Sequence, residues 1–206
     1  MKKLGSITSI FQRAACNQKS RGMRGFTLVE LMITLTVAAI LLAIAIPSVS
    51  FMVRSVRSTS ATNDFVGALN RARNEALVQP GNVVFCASNN NSASSPNCAG
   101  TWNDGWIIFN DCDNDQTPDY TTATCDIDGD GTAETNETLI RTGAALGADD
   151  DIGGTANAIV YLSNGTVDGI NTAQTFDVCM HGVETGSRIE VNPVGRIMTS
   201  DMPSPC

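Results

Sequence analysis

The stretch "FTLVELMITLTVAAILLAIAIPSVSFMV", residues 26–53, spans 28 positions and carries one charge, Glu30. As a helix it reaches roughly 42 Å, more than the ~30 Å hydrocarbon core of a bilayer. It therefore reads as a membrane span, and the carboxylate near its start needs a reason. A lone carboxylate at mid-membrane costs about 3 kcal/mol or more, and less near the membrane face, so it is expected to have a partner or a task. Pro47 falls inside the run, removes one backbone donor and is expected to kink or loosen the helix.

Charge is divided around this stretch. The formal net charge is −8, yet residues 1–25 hold Lys2, Lys3, Arg13, Lys19, Arg21 and Arg24 and no acid. From Phe26 onward seven basic residues stand against 21 acidic ones, a formal net of −14. Basic residues ahead of the span place the N-terminus in the cytoplasm, so the remainder is expected outside it. The cysteines agree. Cys16 lies in the basic leader, whereas Cys86, Cys98, Cys112, Cys125, Cys179 and Cys206 all follow the span, where disulfides form and persist. Six cysteines allow about 15 pairings. Short loops favour neighbours, which gives Cys86–Cys98, Cys112–Cys125 and Cys179–Cys206 as the expected set.

An ordinary secretory signal ends in a small-residue cleavage site after its apolar region. Here the small residue, Gly25, comes before the apolar run, and Ile46-Pro47-Ser48 after it is no such site. A cut after Gly25 would remove the leader and leave Phe26 first and Glu30 fifth. Gly25, Phe26, Thr27, Leu28, Val29 and Glu30, followed by the apolar run to Pro47, resemble the start of the type IV pilin-like proteins. The resemblance implies cleavage between Gly25 and Phe26 by a prepilin peptidase and N-methylation of Phe26. It also implies assembly roles for Glu30 and Pro47. In a helical fibre Glu30 meets the N-terminal amine of a neighbouring subunit, and a mismatched register leaves that charge unpaired. Met23 offers an internal start that leaves the mature chain unchanged.

Beyond the span, Phe65, Leu69, Ala72, Ala76 and Leu77 recur at helical spacing, with Arg71, Arg73 and Glu75 opposite. This predicts an amphipathic continuation over 54–80, stopped by Pro80-Gly81 and weakened locally by the Ser/Thr-rich 57–64. The period then changes. Strands are expected over 82–88, 105–111, 137–143, 158–163, 175–180, 187–192 and 195–200. Asn164-Gly165 is a hairpin signal, and Trp102, Trp106 and Phe109 are expected in the sheet core. "RARNEAL", "VVFCAS", "GWIIF", "LIR" and "TFDVC…RIEVNPVGR", in that order, resemble the GspH/FimT family of minor pilins and minor pseudopilins. The fold this implies is α+β, a long N-terminal helix packed on antiparallel sheets.

Two acidic segments carry much of the charge. "DIDGDGTAETNE" (126–137) fits a calcium-loop pattern, with Asp126, Asp128, Asp130, Thr132, Glu134 and Glu137 as ligands and Gly131 at the turn. "DCDNDQTPD" (111–119) offers Asp111, Asp113, Asp115 and Asp119 but has Gln116 where glycine belongs. The flanks are not paired amphipathic helices, so calcium competes with a plain solvated acidic turn. No cofactor is otherwise required. His181 is the single histidine, which excludes multi-histidine zinc sites, and no nucleophile motif or phosphate loop accompanies it. DNA-binding relatives use a G-R-x-R tail. Here Gly195 and Arg196 match but Met198 replaces the second arginine, and the net charge of −14 disfavours phosphate contacts.

Together these features predict a non-enzymatic minor pilin. Residues 1–25 form a removed leader, 26–53 the membrane and polymerisation helix, 54–80 its continuation, and 81–206 a disulfide-braced β-rich domain. The chain is expected in the inner membrane with its globular part periplasmic, then in a pilus, near the tip. Its expected partners are the peptidase, the membrane, and other pilins through the helix. The rival readings are a pseudopilin of type II secretion and a DNA-binding pilin.

Overall fold

The computed structural model of the chain describes residues 25–126, 129–148, 150–202 and 206, and of 45–51 the backbone alone. Residues 1–24 of the leader, Asp128 and the Pro47 side chain lie outside the described residues. One helix, α1, runs Leu28–Ala76, and the chain divides into two units, Met1–Ile44 and Ala45–Cys206.

In the first unit Thr27 starts the helix. Its hydroxyl accepts from the Glu30 amide at 3.2 Å, and its carbonyl accepts from Leu31 at 3.1 Å. A threonine followed three residues later by glutamate is a helix-start signature, and the macrodipole favours a carboxylate in the first turn. Thr34 and Thr36 turn their hydroxyls back onto the carbonyls of Leu31 and Ile33, both at 2.8 Å. Their polar groups are thus satisfied within the helix, without water. Leu28, Leu31, Ile33, Leu35, Ile40 and Leu41 are all exposed. Among the described residues no helix is long and apolar enough to cross a membrane; the apolar run continues into 45–51, whose side chains lie outside them.

The second unit is built on a stripe of the helix. Ser58, Thr62, Phe65, Leu69, Ala72 and Ala76 are buried, recurring every three or four residues as a 3.6-residue period requires. The Ser/Thr-rich piece does not interrupt the helix. Thr59 and Thr62 donate to the carbonyls of Ser55 and Ser58 at 3.1 and 2.9 Å, so their hydroxyls do not compete for the backbone amides. The helix ends earlier than the amphipathic pattern predicts, at Ala76. Val78 and Gln79 both donate back to the Glu75 carbonyl, and Leu77, now beyond the last turn, is exposed. At Gly81 the backbone has φ +83°, and a Cβ there would lie 2.7 Å from the Asp111 carbonyl oxygen. Glycine alone lets the chain turn there into the first strand.

Among the described residues ten strands follow: β1 Asn82–Ala87, β2 Trp106–Asp111, β3 Ala123–Cys125, β4 Thr135–Asn136, β5 Leu139–Gly143, β6 Asp151–Gly154, β7 Ala158–Tyr161, β8 Gln174–Cys179, β9 Ser187–Val191 and β10 Ile197–Asp201. They form a sheet of order β5-β2-β1-β7, a second of order β10-β9-β8-β6, and a β3-β4 pair, with the pairings between these strands all antiparallel. The first sheet is apolar on both faces. Val83, Phe85, Ile108, Ile159 and Tyr161 join the main core under the helix, while Val84, Cys86, Ile107, Phe109 and Val160 form a second cluster on the opposite face. That is why β1 and β2 read as unbroken apolar runs. Phe109 is therefore a core residue, on the face away from Trp102 and Trp106. The second sheet alternates. Phe176, Val178, Ile189 and Val191 face the core, and outside them Arg188 opposes Asp177 in register and grips both its carboxylate oxygens at 2.7 Å.

Ring contacts knit the layers. Phe65 of the helix lies 5.1 Å from Phe85 of the first sheet, 5.1 Å from Phe176 of the second and 5.2 Å from Trp102. Trp102, in a short 3-10 turn, also meets Phe85 and Phe176, and Phe85 meets Trp106. The Trp102 indole N–H donates to the Ala156 carbonyl at 2.8 Å, so its polar edge is satisfied inside the core. The architecture is α+β, a helix on antiparallel sheets, as the sequence resemblance implies. Replacing Phe65 by Ala is expected to cost about 3–5 kcal/mol of folding stability, since it empties a ring-lined site. Leu77→Ala, at an exposed position, is expected to stay within about 0.5 kcal/mol. Denaturant unfolding of the two variants compares them directly.

Candidate functional site

The first candidate site is the start of α1. Gly25, Phe26 and Thr27 precede the helix, and all three are exposed. A Cβ built on Gly25 meets nothing within 4 Å, and Phe26 keeps 79% of its surface accessible. The Gly25–Phe26 bond is thus uncovered and outside hydrogen-bonded structure, as a peptidase needs. Glu30 stands one turn away, exposed, with its amide held by Thr27. Thr27 is the residue that sequence reasoning passed over as part of a motif. The T-x-x-E spacing that marks it as the cap was legible.

The second candidate lies among the acidic segments. Glu137 is 2% exposed and Asp111 wholly buried. The two oxygens of Glu137 accept from the amides of Cys112 at 2.8 Å and Asp119 at 2.9 Å, and its own amide donates to the Asp119 carbonyl. It therefore staples the 112–119 loop to the start of β5. Carboxylate oxygens of Asp111, Asp113 and Glu137 lie within 4.8 Å of one another. Burial pushes the Asp111 carboxyl up to about 6, against the amide of Gln116 and with added repulsion from Glu137. Glu137 is pushed up by burial and by Asp113 and Asp115, and is held back by its two amides. Burial and the Glu137 charge push the Tyr120 phenol up to about 12.

The calcium-loop pattern is thus divided between two places. Asp126, Asp130 and Glu134 come together within 4.8 Å. Asp126 accepts from the amides of Gly129 and Gly131 at 2.6 and 2.8 Å, and Asp130 from Thr132 at 2.7 Å. Glu137, the twelfth position of the pattern, is instead grouped with Asp111 and Asp113. β4 intervenes, and its pairing with β3 carries Glu137 to the other loop. Asp128 lies outside the described residues.

The six cysteines pair each with its neighbour, Cys86–Cys98, Cys112–Cys125 and Cys179–Cys206. The first tethers the polar 88–97 loop to β1, and the second closes the base of the 112–125 loop. His181 is exposed in a turn, with its amide donating to Asp150 at 3.1 Å, and its neighbour Cys179 is consumed by a disulfide. An open groove of about 400 Å³ runs past Arg57, Asp64, Trp106 and Arg141 and has neither histidine nor cysteine in its lining. The Arg141 guanidinium sits 5.9 Å over the Trp106 ring.

Arg73 has more to do than line a polar face. Its Nε and a terminal nitrogen donate to the carbonyls of Gly165 and Val194, both at 3.0 Å. The helix thereby holds the Asn164-Gly165 turn and the Asn192–Gly195 turn together. Arg196 serves the latter through its backbone, exchanging hydrogen bonds with Asn192.

Comparison with known proteins places this geometry. Residues 20–46 match the prokaryotic N-terminal methylation motif, and residues 61–195 match the family model described as type II transport protein GspH. Two crystal structures of the type IV minor pilin FimU of Pseudomonas aeruginosa strain PAO1 are similar. One is 18% identical over 73% of this chain and 96% of its own, with a TM-score of 0.48. The other is 19% identical over 71% and 98%, with a TM-score of 0.45. No curated protein matches the chain. The GspH match covers well over half of the sequence and the methylation motif precedes it, so the chain belongs to the GspH/FimT family of minor pilins and minor pseudopilins.

Proposed function

We propose that the chain is a minor pilin subunit that helps initiate assembly of a type IV pilus and sits near the fibre tip. The observation that carries this reading is the uncovered Gly25–Phe26 bond, placed directly before a capped helix whose side chains are apolar and exposed. A prepilin peptidase cuts that bond and methylates Phe26. Residues 26–53 first anchor the protein in the inner membrane, with the leader cytoplasmic and the globular domain periplasmic, and then pack against other pilins. Glu30 pairs with the N-terminal amine of a neighbour, which is why a carboxylate is kept in an apolar helix. Residues 54–80 and 81–206 supply partner specificity, braced by three disulfides that each stabilise by about 2–4 kcal/mol through the unfolded chain. Catalysis has no part in this reading, and the acidic domain does not recruit nucleic acid.

The family description, a type II transport protein, favours a second reading, a minor pseudopilin in a periplasmic secretion piston. The processing and the role of Glu30 are the same in both. Mass spectrometry of fibres sheared from the cell surface is expected to recover a methylated peptide beginning at Phe26. Recovery of that peptide from membranes alone, together with loss of protein release in a deletion strain, would move the assignment to the secretion machine.

Glu30→Ala is expected to be cleaved normally but to enter fibres at least about tenfold less than the parent, because the amine loses its partner. Quantitative immunoblots of sheared fibres against whole membranes measure this, and equal incorporation would refute the pairing.

A further inference from the structure

The buried carboxylates at the end of β2 take no part in the reading proposed above, and they are not arranged as a solvated turn would be. Asp111 is wholly buried. One of its oxygens, Oδ2, accepts from the Gln116 amide at 3.2 Å. The other, Oδ1, is buried and has no hydrogen-bond partner among the described residues. Such an atom is costly, because a buried carboxylate oxygen loses its water and gains nothing in exchange. Close by stand two more carboxylates, Asp113 and Glu137. No lysine or arginine occurs anywhere from 111 to 137, and the ion pairs of Arg71 with Glu75 and Arg188 with Asp177 lie elsewhere. The hydroxyl of Tyr120, which feels the charge of Glu137, is likewise buried without a partner.

We infer that Asp111, Asp113 and Glu137 form a binding site for a hard divalent cation, calcium, which locks the 112–119 loop onto the end of β2. Hard cations take carboxylate oxygens, and oxygens of all three residues lie within 4.8 Å of one another, close to the span across one calcium ion bonded at about 2.4 Å. The two Glu137 oxygens already accept one amide hydrogen each, and each keeps a second lone pair for a metal. Those amides fix the carboxylate, as outer partners fix a ligand in metal sites. Asp113 is exposed, giving the ion a way in and room for bound water. Calcium tolerates that mixture of rigid and mobile ligands, whereas magnesium demands near-octahedral geometry and is held by fewer carboxylates. The mutual repulsion of three carboxylates gathered this closely, one of them wholly buried, is what a bound cation would relieve.

This site differs from the loop that the sequence pattern marks. It takes Glu137 from the end of that pattern and joins it to residues on the preceding acidic segment. Two substitutions separate the sites. Asp113→Asn removes a charge from the inferred site while preserving its local acceptor for the Asp115 amide, so the variant keeps its fold. Asp130→Asn touches the other group. The full chain in detergent micelles is titrated with calcium chloride by calorimetry, and its thermal unfolding is followed with and without calcium. The parent is expected to bind saturably with a Kd at or below about 1 mM, and Asp113→Asn at least about tenfold more weakly with a smaller thermal shift. Asp130→Asn is expected to retain saturable binding through the inferred site. No saturable binding up to about 10 mM calcium would overturn the inference. So would an Asp113→Asn chain that binds as tightly as the parent.

Discussion

Phe65 is the contact on which the second unit depends. A single helical side chain touches a ring from each of the two larger sheets and the indole between them. Neither sheet shares a hydrogen-bonded strand with the other. What holds them in one body is the apolar layer between them, and the helix is the element that fills it. Aromatic pairs in edge-to-face and tilted contact add directional preference to the area they bury. Ala68 and Ala72, small residues in the same buried set, keep the helix backbone close enough for Phe65 and Leu69 to reach inward. Around this centre the polar groups are satisfied locally. The Trp102 indole finds Ala156, and the Arg73 guanidinium finds two turn carbonyls.

The disulfides work at a different scale. They close segments of 12, 13 and 27 residues, each a local loop. None ties one four-stranded sheet to the other. Cys86–Cys98 brings the 88–98 loop against the outer cluster of Val84, Ile107 and Phe109, so a polar loop can cover an apolar face. Cys112–Cys125 shortens the path between β2 and β3, and Glu137 then fastens the loop in between. Covalent bonds thus order the loops, while the apolar layer between helix and sheets orders the sheets.

Much of this was legible in the sequence wherever one interaction decided the outcome. The apolar period of 65, 69, 72 and 76 marked the packed helix face, and the β-branched and aromatic runs marked β1, β2 and β7. The Asn164-Gly165 signal is matched by a turn in which Gly165 adopts φ +77° and donates to Leu162. The motif around Gly25 was legible because its pattern is local to six residues, and residues 20–46 match the N-terminal methylation motif. Elements whose reasons are distant were not legible. β6 reads "DIGG" and carries one apolar side chain, and it forms because β8 offers an open edge and Asn103 grips Asp151 and Ile152. β3 and β4 owe their pairing to neighbours rather than to a pattern of their own. Leu77 continued the apolar period beyond the point where the backbone turned away. The destination of Glu137 was hidden for the same reason: a linear metal pattern assumes one continuous loop, and here a strand pair interrupts it.

The position of Arg73 has a mechanical consequence. The helix pairs with no strand, so a pull along its axis breaks no β-ladder one rung at a time. It must instead slide rings past rings while dragging two turn carbonyls, Gly165 and Val194, that belong to separate hairpins. Such a load is resisted in shear and shared between both sheets at once, a stronger fastening than a ladder that opens from one end.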